Sequence, residues 1–226
     1  MTTTEIHQLF DVNYDKANVI TAYPTFLPEE KDVWLNEAYN MWINQRFTGN
    51  NARQIAFEGD TKRVSDLQAL IKKASLTTFT KDDFVSNSIW YKLSDIKDFR
   101  FFISSAIKIN TSEVQTMLTI NHTQAQQFKA SNINMPWIPE PVCTVGNEKI
   151  TVYYDPVKVD TVLAANLQVT YLKQPEVFDY YNSPTAMFEL TDAVAYEVIN
   201  LAVLLALENV ESERMSSTSS IMEIKE

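Results

Sequence analysis

The chain has 226 residues, of which 45% are apolar and three are glycine, and its net charge is −10. Its length and apolar content exclude a wholly disordered chain and allow one large domain or two small ones. The glycines lack the spacing of a phosphate-binding loop, and the single cysteine, Cys143, excludes an intrachain disulfide and a cysteine zinc site.

The charge is unevenly placed along the chain. Residues 1–60 carry 9 acidic and 4 basic side chains, residues 176–226 carry 10 and 2, and residues 61–175 carry 10 and 13. This balance argues against a broad nucleic-acid-binding surface, which needs a basic footprint. Segregated charge suits the packing of identical subunits, although an ordinary acidic soluble protein explains the charge equally well. No leading apolar stretch resembles a signal peptide, so we expect synthesis and retention in a cytoplasm.

Residues 1–75 are predicted to be mainly helical. Helical spacing of apolar residues indicates one helix over Glu5–Ala17 and a second that opens at Pro28 and ends near Gly49. A third helix is predicted after Asp60-Thr61, with an apolar stripe formed by Val64, Leu67, Leu70, Ile71 and Ala74.

Residues 76–175 are predicted to be mainly β. Alternating or β-prone stretches predict strands, a turn at Gly146-Asn147 predicts a hairpin, and Thr123 caps a short predicted helix over Gln124–Ala130. Three prolines within Met135–Pro141 predict an extended connector. The predicted strands are Ser75–Thr80, Ile89–Leu93, Phe99–Ile109, Glu113–Asn121, Val142–Val145, Lys149–Tyr154 and Asn166–Leu172.

The segment Thr191–Glu211 is predicted to form a helix that is apolar almost all round. Four of its polar residues, Glu197, Asn200, Glu208 and Glu211, fall within about 80° of one another at ~100° per residue. Such a helix must be covered by protein, and its apolar run is too short to cross a bilayer.

Helices followed by strands and one more helix predict an α+β fold. The expected architecture is an N-terminal helical bundle, a central antiparallel β region and a long apolar C-terminal helix over residues 188–212. These form a single domain over 1–212, followed by a polar tail at 213–226.

Candidate catalytic residues are few. His7 and His122 lie on different predicted elements and are expected to be surface or capping histidines. The pairs Asp82-Asp83 and Asp95 with Asp98 are explained by solvated turns, and Cys143 by burial in a strand. We therefore predict a non-enzyme with no catalytic, metal or cofactor site; an enzyme that uses Asp82, Asp83 or Cys143 is the least favoured alternative.

Aromatic residues are candidates for partner contact. Trp34 and Trp42 lie eight residues apart on the second helix, where core packing is favoured for Trp34 over an anchor at a subunit interface. Trp137, Tyr180 and Tyr181 lie in predicted loops, where exposed aromatic residues are more typical of contact with a partner.

The segment Thr119–Arg214 resembles the C-terminal portion of tail-proximal connector proteins of short-tailed bacteriophages, especially the crAss-like group. The N-terminal helix with Leu35-Asn36-Glu37-Ala38 also resembles that of such head-to-tail adaptors. The matching motifs are Asn121-His122-Thr123, the connector at Pro136, Pro139 and Pro141, the hairpin Val142–Tyr154, the strand ending Tyr171–Pro175, and the closing helix with Ala206–Arg214.

The resemblance implies a structural virion protein in the phage neck, assembled in the host bacterial cytoplasm, with no cofactor and no membrane contact. Such adaptors form a ring, commonly of twelve copies, which docks beneath the portal, supports another tail or ring protein and lets DNA pass. An acidic lumen would repel the DNA. The tail, with Ser219, Ile221 and Ile224, would add a strand to the portal by β-augmentation.

A second reading belongs to a different class. A non-viral α+β module that binds a small ligand or a peptide, as a monomer or dimer in a cell, fits the same composition and predicted elements.

Overall fold

The computed structural model describes residues 1–17, 26–49, 57–82, 87–110, 113–125, 140–155 and 162–209. They divide into two compact units: unit 1 takes the described residues of 1–70 and those from 175 onward, and unit 2 takes those of 71–174. The α+β class is confirmed. The grouping of residues 1–212 into a single domain stays a prediction.

The described part of unit 1 contains four α-helices: α1 (Thr3–Ala17), α2 (Pro28–Thr48), α3 (Thr61–Leu67) and α4 (Asp192–Asn209). Pro28 opens α2 with its fixed φ, and Glu29 and Glu30 favour the positive end of the helix dipole. Gly49 ends α2 in the left-handed conformation, with φ 77°. The Asp60 side chain caps α3 by accepting a 3.0 Å hydrogen bond from the Lys62 amide.

The core of unit 1 lies where α4 packs against α1 and α2. Each helix contributes a buried apolar stripe, and burial of these stripes is the main contribution to the stability of the unit. The stripes include Ile6 and Phe10 of α1, Leu35, Tyr39 and Ile43 of α2, and Val198, Ile199, Ala202 and Ala206 of α4.

The prediction of a long apolar C-terminal helix over residues 188–212 is not supported. The helix begins at Asp192, because the preceding residues pair with the start of the chain: the Phe188 amide donates to the Met1 carbonyl at 2.8 Å. One side of α4 is open, with Tyr196 47% exposed. No helix among the described residues is both long and apolar enough to cross a lipid bilayer.

The described part of unit 2 contains nine strands, arranged as a four-stranded sheet in the order β1-β9-β4-β5 and a five-stranded sheet in the order β2-β3-β8-β7-β6. All pairings are antiparallel except the parallel pair β6–β7. The strands are β1 (Ile71–Leu76), β2 (Thr80–Lys81), β3 (Ser88–Lys92), β4 (Phe99–Ile109), β5 (Gln115–Thr116), β6 (Leu118–Thr119), β7 (Val142–Val145), β8 (Lys149–Tyr153) and β9 (Ala165–Lys173).

The two sheets share one hydrophobic core. In β9, Leu167, Val169 and Tyr171 are buried while the intervening Asn166 and Gln168 are exposed, as the two-residue period of a strand requires. Buried side chains of the other sheet complete this core, among them Ile89, Tyr91, Ile150 and Val152. The predicted hairpin is confirmed as β7–β8.

Two predicted elements have the wrong bounds: the third helix and the strand over Glu113–Asn121. The third helix ends at Leu67, and Ile71–Leu76 is a strand because it pairs with β9 along its whole length. The strand predicted over Glu113–Asn121 is broken at the buried Met117, so that β5 pairs with β4 while β6 pairs with β7 in the other sheet. Of the helix predicted over Gln124–Ala130, only a helical turn at 122–125 falls within the described residues.

Candidate subunit interface

A segment rich in aromatic residues, Pro175–Leu190, runs over the helices of unit 1; we call it the aromatic segment. The side chain of Asn36 on α2 binds its backbone twice: Nδ2 donates to the Phe178 carbonyl at 3.0 Å, and Oδ1 accepts from the Phe178 amide at 2.8 Å. One turn earlier, Oδ2 of Asp32 accepts from the Tyr180 amide at 3.0 Å. Two side chains at i and i+4 on one helix therefore fix the path of this segment.

The start of α1 holds the other end of the aromatic segment. The amides of Thr3 and Thr4, at the helix end where backbone donors lack helical partners, donate to the carbonyls of Ala186 and Pro184 at 3.0 and 3.1 Å. The Thr4 hydroxyl donates to the Pro184 carbonyl at 2.8 Å. The segment thus supplies acceptors for α1, and each stabilises the other.

Three aromatic rings anchor the segment to the core. The rings of Phe178 and Phe188 stack with centroids 5.8 Å apart, and each lies within 6 Å of the buried Tyr39 ring, at 5.9 and 5.1 Å respectively. Such aromatic contacts contribute about 0.5–1.5 kcal/mol beyond the apolar area that they bury.

The same segment exposes large apolar side chains. Val177 is 68% exposed, Tyr181 63% and Met187 65%. Between them, the Asp179 carboxylate accepts from the amide and side chain of Asn182 at 3.0 and 2.7 Å, and these bonds lower the pKa of Asp179. These exposed apolar groups lie on a backbone that is held in place, which makes the segment a candidate surface for a partner.

A buried histidine lies beneath the aromatic segment. His7 on α1 is 3% exposed, so the expectation of a surface or capping histidine is wrong for it. Its Nε2 lies 2.9 Å from Oδ1 of Asp32, and its ring centroid lies 4.9 Å from that of Tyr180. Burial lowers the pKa of His7, although the neighbouring Asp32 carboxylate opposes that shift. Asp32 therefore joins α1, α2 and the aromatic segment through its two carboxylate oxygens.

A second polar cluster joins α2 to α4. Oε2 of Glu197 accepts from Nε1 of Trp42 at 2.8 Å and from Nη2 of Arg46 at 2.7 Å, and the Arg46 guanidinium lies 5.2 Å from the Trp42 ring centroid. Burial raises the pKa of Glu197, but the hydrogen bonds from Trp42 and Arg46 outweigh it and leave the pKa below its usual value. Trp42 thus lies inside unit 1, 4% exposed, as part of a charged contact between helices.

The structure describes four of the eight predicted partner-contact residues. Tyr180 and Tyr181 lie together in the aromatic segment, with ring centroids 5.7 Å apart. Trp34 is half-buried on α2, whereas Trp42 is buried. Trp137, Ser219, Ile221 and Ile224 lie outside the described residues.

The structure describes two of the three alternative catalytic residues, Cys143 and Asp82. Cys143 is fully buried in unit 2 beside the hydroxyls of Ser105 and Thr119, at 3.5 and 3.7 Å, and burial raises the pKa of its thiol. Asp82 is half-buried next to β2, and Asp83 falls outside the described residues. Within the described part of the chain, no three His, Cys, Asp or Glu side chains form a group suited to a metal ion.

Sequence reasoning missed Asn36 and Asp32, the residues that fix the aromatic segment. Their spacing of four along a helix was the available signal, but their partners are backbone groups far along the chain.

No protein-family model matches the sequence, and no curated protein is significantly similar to it.

Proposed function

We propose that the chain is a structural virion protein that forms a closed ring in the neck of a short-tailed bacteriophage, between the portal and the next tail protein. The aromatic segment carries this proposal, because it presents Val177, Tyr181 and Met187 to solvent on a backbone bound by α1 and α2. The resemblance of Thr119–Arg214 to connector proteins supports the same function.

Rigidity of the exposed surface favours binding. Association costs the entropy of every group that becomes ordered, so a surface already fixed by hydrogen bonds loses less on binding than a mobile loop does. Aromatic residues at the centre of an interface commonly account for most of its binding energy. Tyr181 is therefore the residue of the segment from which we expect the largest contribution.

A ring built by one repeated contact joins two different surfaces of the chain and closes when the rotation between neighbours completes a circle. Twelve copies are proposed from the resemblance. The tail residues Ser219, Ile221 and Ile224 are proposed to pair with the portal by adding a strand.

Charge supports passage of DNA without its retention. Residues 1–70 and 175–226 together carry 8 basic and 20 acidic side chains. If these acids face the lumen of the ring, they repel the phosphate backbone and the genome slides through. A ring with a basic lumen and outward-facing acids would contradict this part of the proposal.

A non-viral ligand- or peptide-binding module is the second candidate, and an open groove on unit 2 favours it. The groove has a volume of about 940 Å³, and we call it the β3–β8 groove. Its walls include Trp90, Lys92, Leu93, Phe99, Asn147 and Lys149.

Co-expression with the portal protein encoded in the same genome tests the first proposal. We expect the chain to co-purify with a tagged portal, and Tyr181→Ala to reduce capture about tenfold, as expected for loss of one interface anchor. Tyr196→Ala, which removes an exposed tyrosine of α4, is the matched control and leaves capture unchanged. If the chain does not co-purify with the portal and instead binds short peptides as a monomer, the result favours the second candidate function.

A further inference from the structure

Two lysines lie side by side on one face of the sheet, at the β3–β8 groove of unit 2. Lys92 and Lys149 are directly opposed in the register of β3 and β8, and both are exposed. The ammonium of Lys149 lies 5.4 Å from the centroid of the Trp90 ring. Like charges in directly opposed positions destabilise a sheet, and neither lysine forms an ion pair within the described residues. A bound carboxylate would relieve this repulsion.

The groove combines this positive rim with an apolar floor. Trp90, Leu93 and Phe99 line it, and Glu148 is the one acidic side chain among the residues that line it in the described chain. A partner that fits must therefore present acidic groups around an apolar one. Charge favours a protein over a polyanion here, since residues 71–174 carry 11 basic and 9 acidic side chains and so lack a broad basic footprint.

Helix α2 of unit 1 carries a matching surface. Glu29, Val33 and Glu37 follow one another at four-residue intervals, which places them on one side of the helix, and all three are exposed. Val33 is 59% exposed, and Leu27, just before the helix, is 61% exposed. This row, which we call the α2 acidic row, presents an aliphatic side chain between two carboxylates.

Resting on the ring proposed above, we infer that the β3–β8 groove of one copy binds the α2 acidic row of a second copy. Lys92 and Lys149 pair with Glu29 and Glu37, and Val33 contacts the apolar floor beside Trp90. The two surfaces differ, so the contact is of the head-to-tail kind that a ring requires. Residues 71–174 carry a net charge of +2 and the rest of the chain −12, so contact between unlike units of two copies is favoured over contact between like units.

Paired charge reversals test the contact. One variant carries Lys92→Glu and Lys149→Glu; the other carries Glu29→Lys and Glu37→Lys. Each variant by itself places like charges on both sides of the contact, so its self-association should weaken by about tenfold or more. Sedimentation up to near-millimolar concentration measures this change. Mixed in equal amounts, the two variants can alternate with every contact complementary, so association should return to within about threefold of wild type.

The control for the groove variant is Lys72→Glu with Lys73→Glu, which makes the same change in net charge as the groove variant at two exposed positions of β1. It should leave self-association unchanged. Three results would each overturn the inference. The control could lose as much self-association as the groove variant, or the mixture could fail to regain self-association. The wild-type chain could also never associate, either in solution or on the portal.

Three further outcomes distinguish this inference from nucleic-acid binding and from the ring proposal. Tight binding of a single-stranded oligothymidine that the groove reversals abolish, without any effect on self-association, would replace the protein partner with nucleic acid. Normal capture by the portal with no effect of any reversal would overturn the groove contact while leaving the ring proposal intact. If self-association recovers in the mixture but the portal does not capture the chain, the groove contact is retained and the proposed function in the phage neck is overturned.

Discussion

Replacement of Asn36 by alanine should release the aromatic segment from α2. The substitution removes both hydrogen bonds between this side chain and the backbone of Phe178, a residue that is 8% exposed. Each bond contributes about 0.5–1.5 kcal/mol net, and a buried amide or carbonyl left without a partner adds a desolvation cost. We therefore expect a loss of about 2–4 kcal/mol, which for a chain of this length lowers the melting temperature by roughly 5–15 °C.

Urea unfolding followed by tryptophan fluorescence measures this loss, because Trp34 and Trp42 lie in the same unit. Hydrogen exchange supplies a local readout: the amides of Phe178 and Tyr180 should exchange much faster in the variant. Glu37→Ala, at an exposed position of the same helix, should cost less than about 0.5 kcal/mol. If the two variants lose equal stability and the Phe178 amide stays protected, the segment is not held as described.

Three other substitutions test separate parts of the account. Glu197→Gln should cost about 1–2 kcal/mol at neutral pH by weakening its bond with Arg46. Because the native pKa of Glu197 is lowered, its contribution to stability is present above the ordinary value of 4.5 and is lost as pH falls through the native pKa. The decline in stability at acid pH should therefore be shallower in the variant. Tyr181→Ala should leave urea unfolding within about 0.5 kcal/mol of wild type while portal capture falls, and an equal fall in Tyr196→Ala would remove the assignment of the aromatic segment as the interface. Gly49→Ala should cost about 1 kcal/mol by forcing a side chain into the left-handed region, and unchanged thermal unfolding would refute that reasoning.

Local sequence signals predicted the elements whose boundaries are set locally. Pro28 and Gly49 mark the ends of α2 through their own backbone preferences, and Gly146-Asn147 marks the β7–β8 hairpin. Ile71 and Ala74 were misleading because their spacing after Leu67 fits a helix. They belong to β1, whose partner β9 lies almost a hundred residues further along the chain, and local periodicity carries no record of such pairing.

The C-terminal helix shows the same limit. Hydropathy predicted that protein must cover the helix nearly all round, but α1 and α2 cover only part of it, and Tyr196 stays exposed. Its polar residues are also used internally: Glu197 binds Trp42 and Arg46, and Asn200 accepts a 3.3 Å hydrogen bond from Asn13. Residue type alone did not reveal which polar groups meet partners within the unit.

Sequence reasoning reached part of the candidate interface. Tyr180 and Tyr181 were identified because aromatic residues in a loop have no local structural role to explain them. Asp32 and Asn36 were not identified, since they bind backbone groups that any sequence would supply. Lys92 and Lys149 come together only through the register of β3 and β8.

The most direct test of the central claim is an image, at side-chain resolution, of the phage neck that contains this chain. The account predicts a closed ring of copies in contact with the portal, with the Tyr181 side chains buried at contacts between protein chains. A solitary subunit with Tyr181 in solvent and a substrate-like compound bound among converging ionisable groups would contradict it.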